Sequence, residues 1–192
     1  MFKIVFTNVK GGVGKTTLSV LIARAMREAG ADVSMLDLDP QKTATHWVQR
    51  AEKDTLTVDT PKGFVIVDTR PAAEGVVEAA KAGDFHLLVA SPSTADLEAT
   101  IAAAGLLKQH SKSPVRLIFN MVMKGTFLQK HMSEQAAVIG VDQLKSFVTR
   151  RQCYQHAVTY GWKALDKGAK EELSRVATEI LSVCFEYKCG TS

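Results

Sequence analysis

Short apolar runs alternate along this chain with longer segments whose apolar residues recur at helical spacing. Six runs read as strands: Phe2–Thr7, Asp32–Asp37, Phe64–Asp68, Phe85–Ala90, Val115–Asn120 and Leu144–Val148. The spacing predicts helices over Thr16–Ala29, Pro40–Ala51, Pro71–Ala82, Ala95–Gln109, Phe127–Ile139 and Ala169–Tyr187. In the first of these, Leu18, Leu21, Ile22, Ala25 and Met26 form one stripe at the 3.6-residue period, and Gly30 follows as a C-terminal cap. Strands alternating with helices predict an α/β fold, a mostly parallel central sheet with helices on both faces. Phe64-Val65-Ile66-Val67 is apolar at every position, as a parallel strand covered on both faces must be. Ligands of such sheets sit beyond the carboxyl ends of the strands, so the residues that follow each strand carry the functional information.

The 192 residues fit one domain, 1–192, around one continuous core. Hydrophobic content of 46% and charged content of 23% are ordinary for a soluble globular protein. No apolar run reaches the ~18 residues that span a bilayer, and the N-terminus enters the first strand without a basic-then-apolar leader. Cys153, Cys184 and Cys189 are odd in number and share no repeated spacing, which points to the reducing cytoplasm. Charge changes the picture more. From Lys108 to Arg151 eight Lys/Arg face only Glu134 and Asp142, whereas the other 148 residues carry 16 basic and 18 acidic side chains. Such a stretch is either a solvated face or the footprint of a polyanion partner.

After the first strand come Asn8-Val9-Lys10-Gly11-Gly12-Val13-Gly14-Lys15-Thr16-Thr17, and then a helix. Strand, glycine-rich loop and helix together make a phosphate loop, the mark of a P-loop NTPase. Gly11, Gly12 and Gly14 let the backbone fold tightly and aim N–H groups, with those of Val13, Lys15, Thr16 and Thr17, at an anion. The helix adds the positive end of its dipole. Lys15 reaches the β- and γ-phosphates of ATP, and the Thr16 hydroxyl ligates Mg²⁺. The third strand ends in Asp68, the Walker B position, whose carboxylate holds Mg²⁺ through its water. The second strand ends in Leu36-Asp37-Leu38-Asp39-Pro40-Gln41. There Asp39 can cap a helix that begins with Pro40, and a carboxylate near the γ-phosphate can also orient water.

The loop departs from the common G-x-x-x-x-G-K-[ST] form, with Val9 where glycine is usual and a second lysine, Lys10, at its head. Lys10-Gly11-Gly12-Val13-Gly14-Lys15-Thr16 is a deviant Walker A sequence, and in it the chain resembles the ParA/MinD family of ATPases. Its size, with the loop beginning at residue 10, is similar to the small ParF-like partition ATPases that lack an N-terminal helix-turn-helix domain. The resemblance implies that Lys10 reaches across a homodimer interface to nucleotide on the other subunit. It implies that Asp39 acts on the attacking water and that Asp37 stands near the Mg²⁺ shell. Asn120 falls where many relatives carry an asparagine for the adenine, and Ser91-Pro92-Ser93 where many have a turn at the dimer interface; each is otherwise an ordinary strand-end or turn feature. Arg70 replaces the family's usual residue after Asp68-Thr69, and reaches phosphate, partner or solvent. About two dozen residues separate Gln41 from Phe64, fewer than in most relatives, which bears on partner docking.

The family resemblance and the charge bias together predict a DNA-segregation or cargo-positioning ATPase, cytoplasmic and on the nucleoid of a prokaryote, whose cargo is a replicon or a protein cluster. Its ATP-bound dimer binds DNA nonspecifically, and a ParB-like or other cargo-bound activator stimulates hydrolysis. The expected DNA contacts are Lys124, Lys130, Lys145, Arg150 and Arg151, with Lys163, Lys167, Lys170 and Arg175 as second choices. Two alternatives stand beside this one. A MinD-like membrane cycle needs an amphipathic anchor, and Leu181–Lys188, with one Glu and one Lys, is a poor one. A metabolic enzyme or a metal-cluster protein would need more than Cys153 and His156, whose C-x-x-H spacing no second pair completes.

Overall fold

The computed structural model describes residues 1–190, with side chains described as far as Tyr187. Five strands, β1 (Phe2–Thr7), β2 (Val33–Asp37), β3 (Phe64–Asp68), β4 (Phe85–Ala90) and β5 (Val115–Phe119), form one sheet in the order β2-β3-β1-β4-β5. Every pairing is parallel. Helices connect and cover them: α1 (Lys15–Glu28), α2 (Thr43–Trp47), α3 (Ala73–Ala82), α4 (Thr94–His110), α5 (Phe127–Lys130), α6 (Met132–Ile139), α7 (Gln152–Tyr160) and α8 (Lys167–Gly190). A π-helical turn (Val48–Glu52) extends α2, and a 3₁₀ turn (Gly161–Ala164) follows α7.

Successive residues of a strand point to opposite faces, which is why these strands read as apolar throughout. Phe2, Ile4, Phe6, Met35, Ile66 and Leu87 pack against α1 and α8 on one face. On the other, Leu88, Ala90, Leu117 and Phe119 meet α3, α4 and α6. Leu173, Val176 and Ile180 of α8 are fully buried, each worth roughly 1.5–3 kcal/mol of apolar burial. The strand register sets the site: Asp37 lies opposite Asp68 on the neighbouring strand, and Phe6 opposite Asp68 on the other side.

Four expectations need correction. Leu144–Val148 is not a strand of the sheet. The segment follows β5 through isolated bridges, Leu117 to Gln143 and Val122 to Thr149. Between them, Leu144 N donates to Leu117 O (2.8 Å) and Val148 N to Phe119 O (2.9 Å), so four residues of the segment span two of β5. The bulge is held off by Glu179, whose carboxylate accepts from Lys145 N (2.6 Å) and Ser146 N (2.8 Å). Asp39 does not cap a helix at Pro40; α2 begins at Thr43, capped by Lys42 in left-handed conformation (φ 51°). The reason is Asp37, whose Oδ2 accepts both the amide and the hydroxyl of Thr45 (2.9 Å each) and anchors the helix further along. The span Phe127–Ile139 breaks at His131 into α5 and α6. The last helix starts at Lys167 rather than Ala169 because Asp166 Oδ1 accepts from Ala169 N (2.8 Å), an N-terminal cap. No expectation covered α7 or its 3₁₀ continuation.

Candidate functional site

β1 ends at Thr7, and the fully buried Asn8 moors the loop that follows. Its amide donates to Val89 O (2.7 Å) and Thr100 Oγ1 (3.2 Å), and its Oδ1 accepts from Lys10 N (3.1 Å). Gly12 (φ 80°) and Gly14 (φ 90°) turn the chain through left-handed conformations before α1. Gly14 has a second reason to be glycine: a Cβ there would stand 2.2 Å from Asn120 Nδ2. That nitrogen donates to Val13 O (2.8 Å), so Asn120, from the end of β5, clamps the loop from above. The first turn of α1 carries no acidic side chain, which leaves its N–H groups and dipole directed at an anion.

The loop's two lysines face opposite ways. Lys15 is buried, and its ammonium lies inside the loop, donating to Lys10 O (2.9 Å). Burial pulls its pKa below the ordinary lysine range, while Asp68 and Asp39 hold it up. Lys10 is half exposed and lies outside, 3.4 Å from Asp96 Oδ1 in the first turn of α4. Asp96 is itself held by Ser91 Oγ (2.6 Å), from the Ser91-Pro92-Ser93 turn.

Three carboxylates converge on the phosphate loop, in different states. Asp37 is spent within the chain: Oδ1 accepts from Asp39 N (3.0 Å) and Oδ2 from Thr45. Asp39, nearly buried, accepts from Gln41 N through Oδ1 (2.9 Å). Asp68 is fully buried, and neither of its oxygens has a hydrogen-bond partner among the described residues. Burial pushes its pKa up to about 7; the Thr16 side chain, near but short of hydrogen-bond geometry, pulls it down, and Asp37 adds repulsion. Among the described residues no three His, Cys, Asp or Glu side chains are placed to hold a metal ion by themselves. A carboxylate without donors beside a threonine hydroxyl and a phosphate loop fits a hydrated Mg²⁺ shared with a nucleotide's phosphates. Arg70 turns away from this centre and pairs with Glu78 on α3 (3.0 Å).

Beyond the loop a cleft of about 570 Å³ is lined by Thr17, Asn120, Met121, Thr149, Arg150 and Tyr154, among others. Its far wall is built on Glu172, a buried carboxylate of α8 that accepts from Thr149 N (3.0 Å), Thr149 Oγ1 (2.9 Å) and Tyr154 OH (2.6 Å). Burial and that bond push the Tyr154 hydroxyl's pKa well up. Sequence reasoning missed Thr149, Tyr154 and Asp96. A signal for Thr149 was available, since it directly follows the expected sixth strand.

Of the expected DNA contacts, Lys124 and Lys145 come together in a small cleft with Arg175. Lys130 stands apart, exposed at the end of α5. Arg150 and Arg151 line the cleft beside Asn120, and Arg151 is engaged by Thr149 (3.0 Å), Asp166 (3.6 Å) and Glu172 (3.7 Å). Elsewhere in the basic stretch, Lys108 donates to Gly140 O (2.6 Å) and Arg116 lies 4.0 Å from Asp142.

A parallel sheet with a glycine-rich loop between β1 and α1, a lysine buried in that loop and a donor-free carboxylate on the adjacent strand defines a P-loop nucleotide-binding protein. Residues 4–161 match the CobQ/CobB/MinD/ParA nucleotide binding domain, and the chain belongs to that family. The maintenance of carboxysome distribution protein A of Halothiobacillus neapolitanus is similar to it over 94% of this chain and 96% of that protein, at 26% identity. Protein ParA of Rhizobium radiobacter is 25% identical over 82% of each chain. A plasmid partition protein of Borrelia burgdorferi bound to AMPPNP shares the fold, with a TM-score of 0.76 and 14% identity over 94% of this chain and 98% of that one.

Proposed function

We propose that this chain is a ParA-type ATPase that segregates or positions a cargo on DNA. ATP closes two copies into a sandwich, the closed dimer binds DNA without sequence preference, and a cargo-bound activator triggers hydrolysis and release. The observation that carries this reading is the divergence of the two loop lysines. Lys15 lies buried inside its own loop, donating to Lys10 O, and Lys10 stands half exposed on the loop's outer side, where a second copy could take it up.

The residues divide the work. Lys15 gives up its bond to Lys10 O and neutralises the β- and γ-phosphates, which the loop and α1 amides also cradle. Thr16 and Asp68 would hold Mg²⁺, which would supply charge neutralisation at the transferred phosphoryl group. Asp37 fixes the backbone of Asp39 and thereby the direction of its carboxylate. Asp39 retains one oxygen without a donor among the described residues, and with it orients the attacking water. The base lies in the cleft between Asn120 and Tyr154.

The test is binding to random-sequence duplex DNA with ATP, ADP or no nucleotide, over a range of salt. The reading expects binding that requires ATP and falls steeply with salt. ATPase activity with no DNA binding in any state would overturn it. A second reading, in which the cargo is a protein body rather than a replicon, is favoured by full-length similarity to a carboxysome distribution protein. Loss of the chain in its host would then scatter a protein assembly and leave replicon inheritance intact.

A further inference from the structure

The loop from β2 to α2 holds a lysine in a conformation that lysine rarely takes. Lys42 has φ 51° and ψ 33°, left-handed backbone in which the Cβ crowds the following carbonyl. Glycine takes this conformation freely, so a lysine there points to a task for its side chain. Two backbone bonds hold the conformation. Lys42 N donates to Asp39 O (2.9 Å), closing the turn Asp39-Pro40-Gln41-Lys42, and Lys42 O accepts from His46 N (2.9 Å) as α2 begins. The side chain is half-buried and folds back along the chain, where Nζ donates to Asp37 O. It makes no ion pair among the described residues.

That carbonyl belongs to the peptide that leads toward Asp39. Leu38 N, at the other end of the same peptide, donates to Asp68 O on β3 (2.9 Å). A trans peptide points its N–H and C=O in opposite directions, so Asp37 O faces away from β3, off the edge of the sheet. Asp37 is 1% exposed, which leaves water little access to this carbonyl. Lys42 therefore supplies a bond that β3 cannot give and solvent gives poorly. The rest of the segment is tied by its own carboxylates. Asp37 accepts from Asp39 N and from Thr45, and Asp39 accepts from Gln41 N. Asp39 itself lies at the phosphate loop, where its charge, after burial and Asp68, acts on Lys15.

We propose that Lys42 is a positioning residue for ATP hydrolysis: its ammonium fixes the peptide before Asp39 and so aims the Asp39 carboxylate at the attacking water. The assignment rests on the reading of Asp39 above and adds the group that holds it. Without the ammonium, Asp37 O is left buried without this donor, and water is the replacement at hand. Reaching water turns the Asp37–Leu38 peptide, loosens Leu38 N from Asp68 O and swings Asp39, the next residue along. The phosphate loop, between β1 and α1, takes no part in that turn. A misplacement of ~1 Å at a reacting group can cost on the order of a hundredfold in rate. The loss therefore falls on kcat and not on nucleotide affinity.

The test uses the full chain with Lys42→Asn, Lys42→Gly, Asp39→Ala and the double variant Lys42→Asn/Asp39→Ala. Asparagine tolerates left-handed backbone and carries no cation; glycine frees the backbone altogether, so a loss of kcat there is not a loss of fold. Each is compared with wild type for ATP kcat and KM and for the Kd of a nonhydrolysable ATP analogue. Hydrogen exchange of the ligand-free chain is followed over residues 38–45 and, as the internal control, 10–17. Both Lys42 variants should lose about tenfold or more in kcat and keep the analogue Kd within about twofold. Lys42→Asn should exchange faster over 38–45 and like wild type over 10–17. In the double variant the Lys42 change should cost no more than about twofold beyond Asp39→Ala, because the lysine acts through that carboxylate. Wild-type kcat in either Lys42 variant, or wild-type exchange in Lys42→Asn, overturns the assignment and leaves Asp39 its role. Losses that multiply in the double variant overturn it too. So does an analogue Kd that weakens as far as kcat falls, which would put Lys42 on the nucleotide. Asp39→Ala at wild-type turnover, or a wild type without turnover, overturns the reading beneath and the assignment with it.

Discussion

Asp68 is held where the ligand-free fold gains least from it: fully buried, with neither oxygen hydrogen-bonded among the described residues. An unpaired buried polar group costs about 1–3 kcal/mol, and more when charged. Asp68→Asn removes the charge at nearly constant volume. The ligand-free variant should melt several degrees higher, at roughly 2–4 °C per kcal/mol for a chain of this size, while Mg²⁺-dependent ATP turnover is lost. A differential scanning measurement beside a turnover assay checks both halves; a lower melting point would mean that the carboxylate stabilises the fold. His86, also fully buried, behaves in the opposite direction. Burial pushes its pKa from 6.5 down to about 4, against the pull of Asp84, and Ser111 Oγ lies 3.0 Å from Nε2. The unfolded chain therefore takes up a proton that the folded chain refuses. The contribution of His86 to stability is whole above pH 6.5 and falls by up to about 3 kcal/mol as pH drops toward 4. Asp68, with its pKa raised to about 7, contributes with the opposite sign over the same window, so the His86 fall should appear in urea titrations as the difference between wild type and His86→Leu. The phosphate loop and Asp68 were legible because their chemistry is written in consecutive residues. Asp96 was not, because only the fold brings it to Lys10, 86 positions away.

At the scale of elements, local propensity located all five strands and lost its hold where tertiary bonds compete for the backbone. Leu144–Val148 has a strand's composition, yet Glu179 draws two of its amides off the ladder. Pro40 has a helix-start signature, yet Asp37 moves the start to Thr43. Neither long-range carboxylate can be anticipated from the segment it acts on. Glu172 is a third of this kind, and it supports the cleft beside Asn120. It takes the amide and hydroxyl of Thr149 and the hydroxyl of Tyr154, joining α8 to the segment after β5 and to α7. Glu172→Ala strands these buried donors and leaves Arg151 with one acidic partner, Asp166. It should destabilise the protein by about 3 kcal/mol. It should also raise the apparent KM for ATP more than it lowers kcat, because the cleft wall loosens while the phosphate loop is untouched. Equal losses in both constants, with the melting point unchanged, would refute that division of roles.

For the whole molecule, the question is how one nucleotide site controls a surface. The basic residues that stood together in the sequence are scattered by the fold: Lys108 caps Gly140, Arg151 is bound into the Glu172 network, and Arg150 borders the cleft beside Asn120. A single copy therefore presents a modest positive surface, and closing two copies into one body would double the phosphate contacts available to a DNA segment. On the proposed function, Lys10 is the residue through which this doubling would depend on ATP. Its side chain is 46% exposed, its one ion pair among the described residues is with Asp96, and it makes no contact that Lys15 needs except through its backbone carbonyl. Lys10→Ala should leave nucleotide affinity within about twofold of wild type, since every group that holds the phosphates in the same subunit remains. It should abolish the ATP-dependent shift from monomer to dimer in sedimentation velocity, and with it ATP-dependent DNA retention. Lys15→Ala separates the two functions, because it should lose the nucleotide itself. If Lys10→Ala still dimerises with ATP, the second lysine of the loop acts within its own subunit, and the coupling of nucleotide to assembly must be sought at another surface.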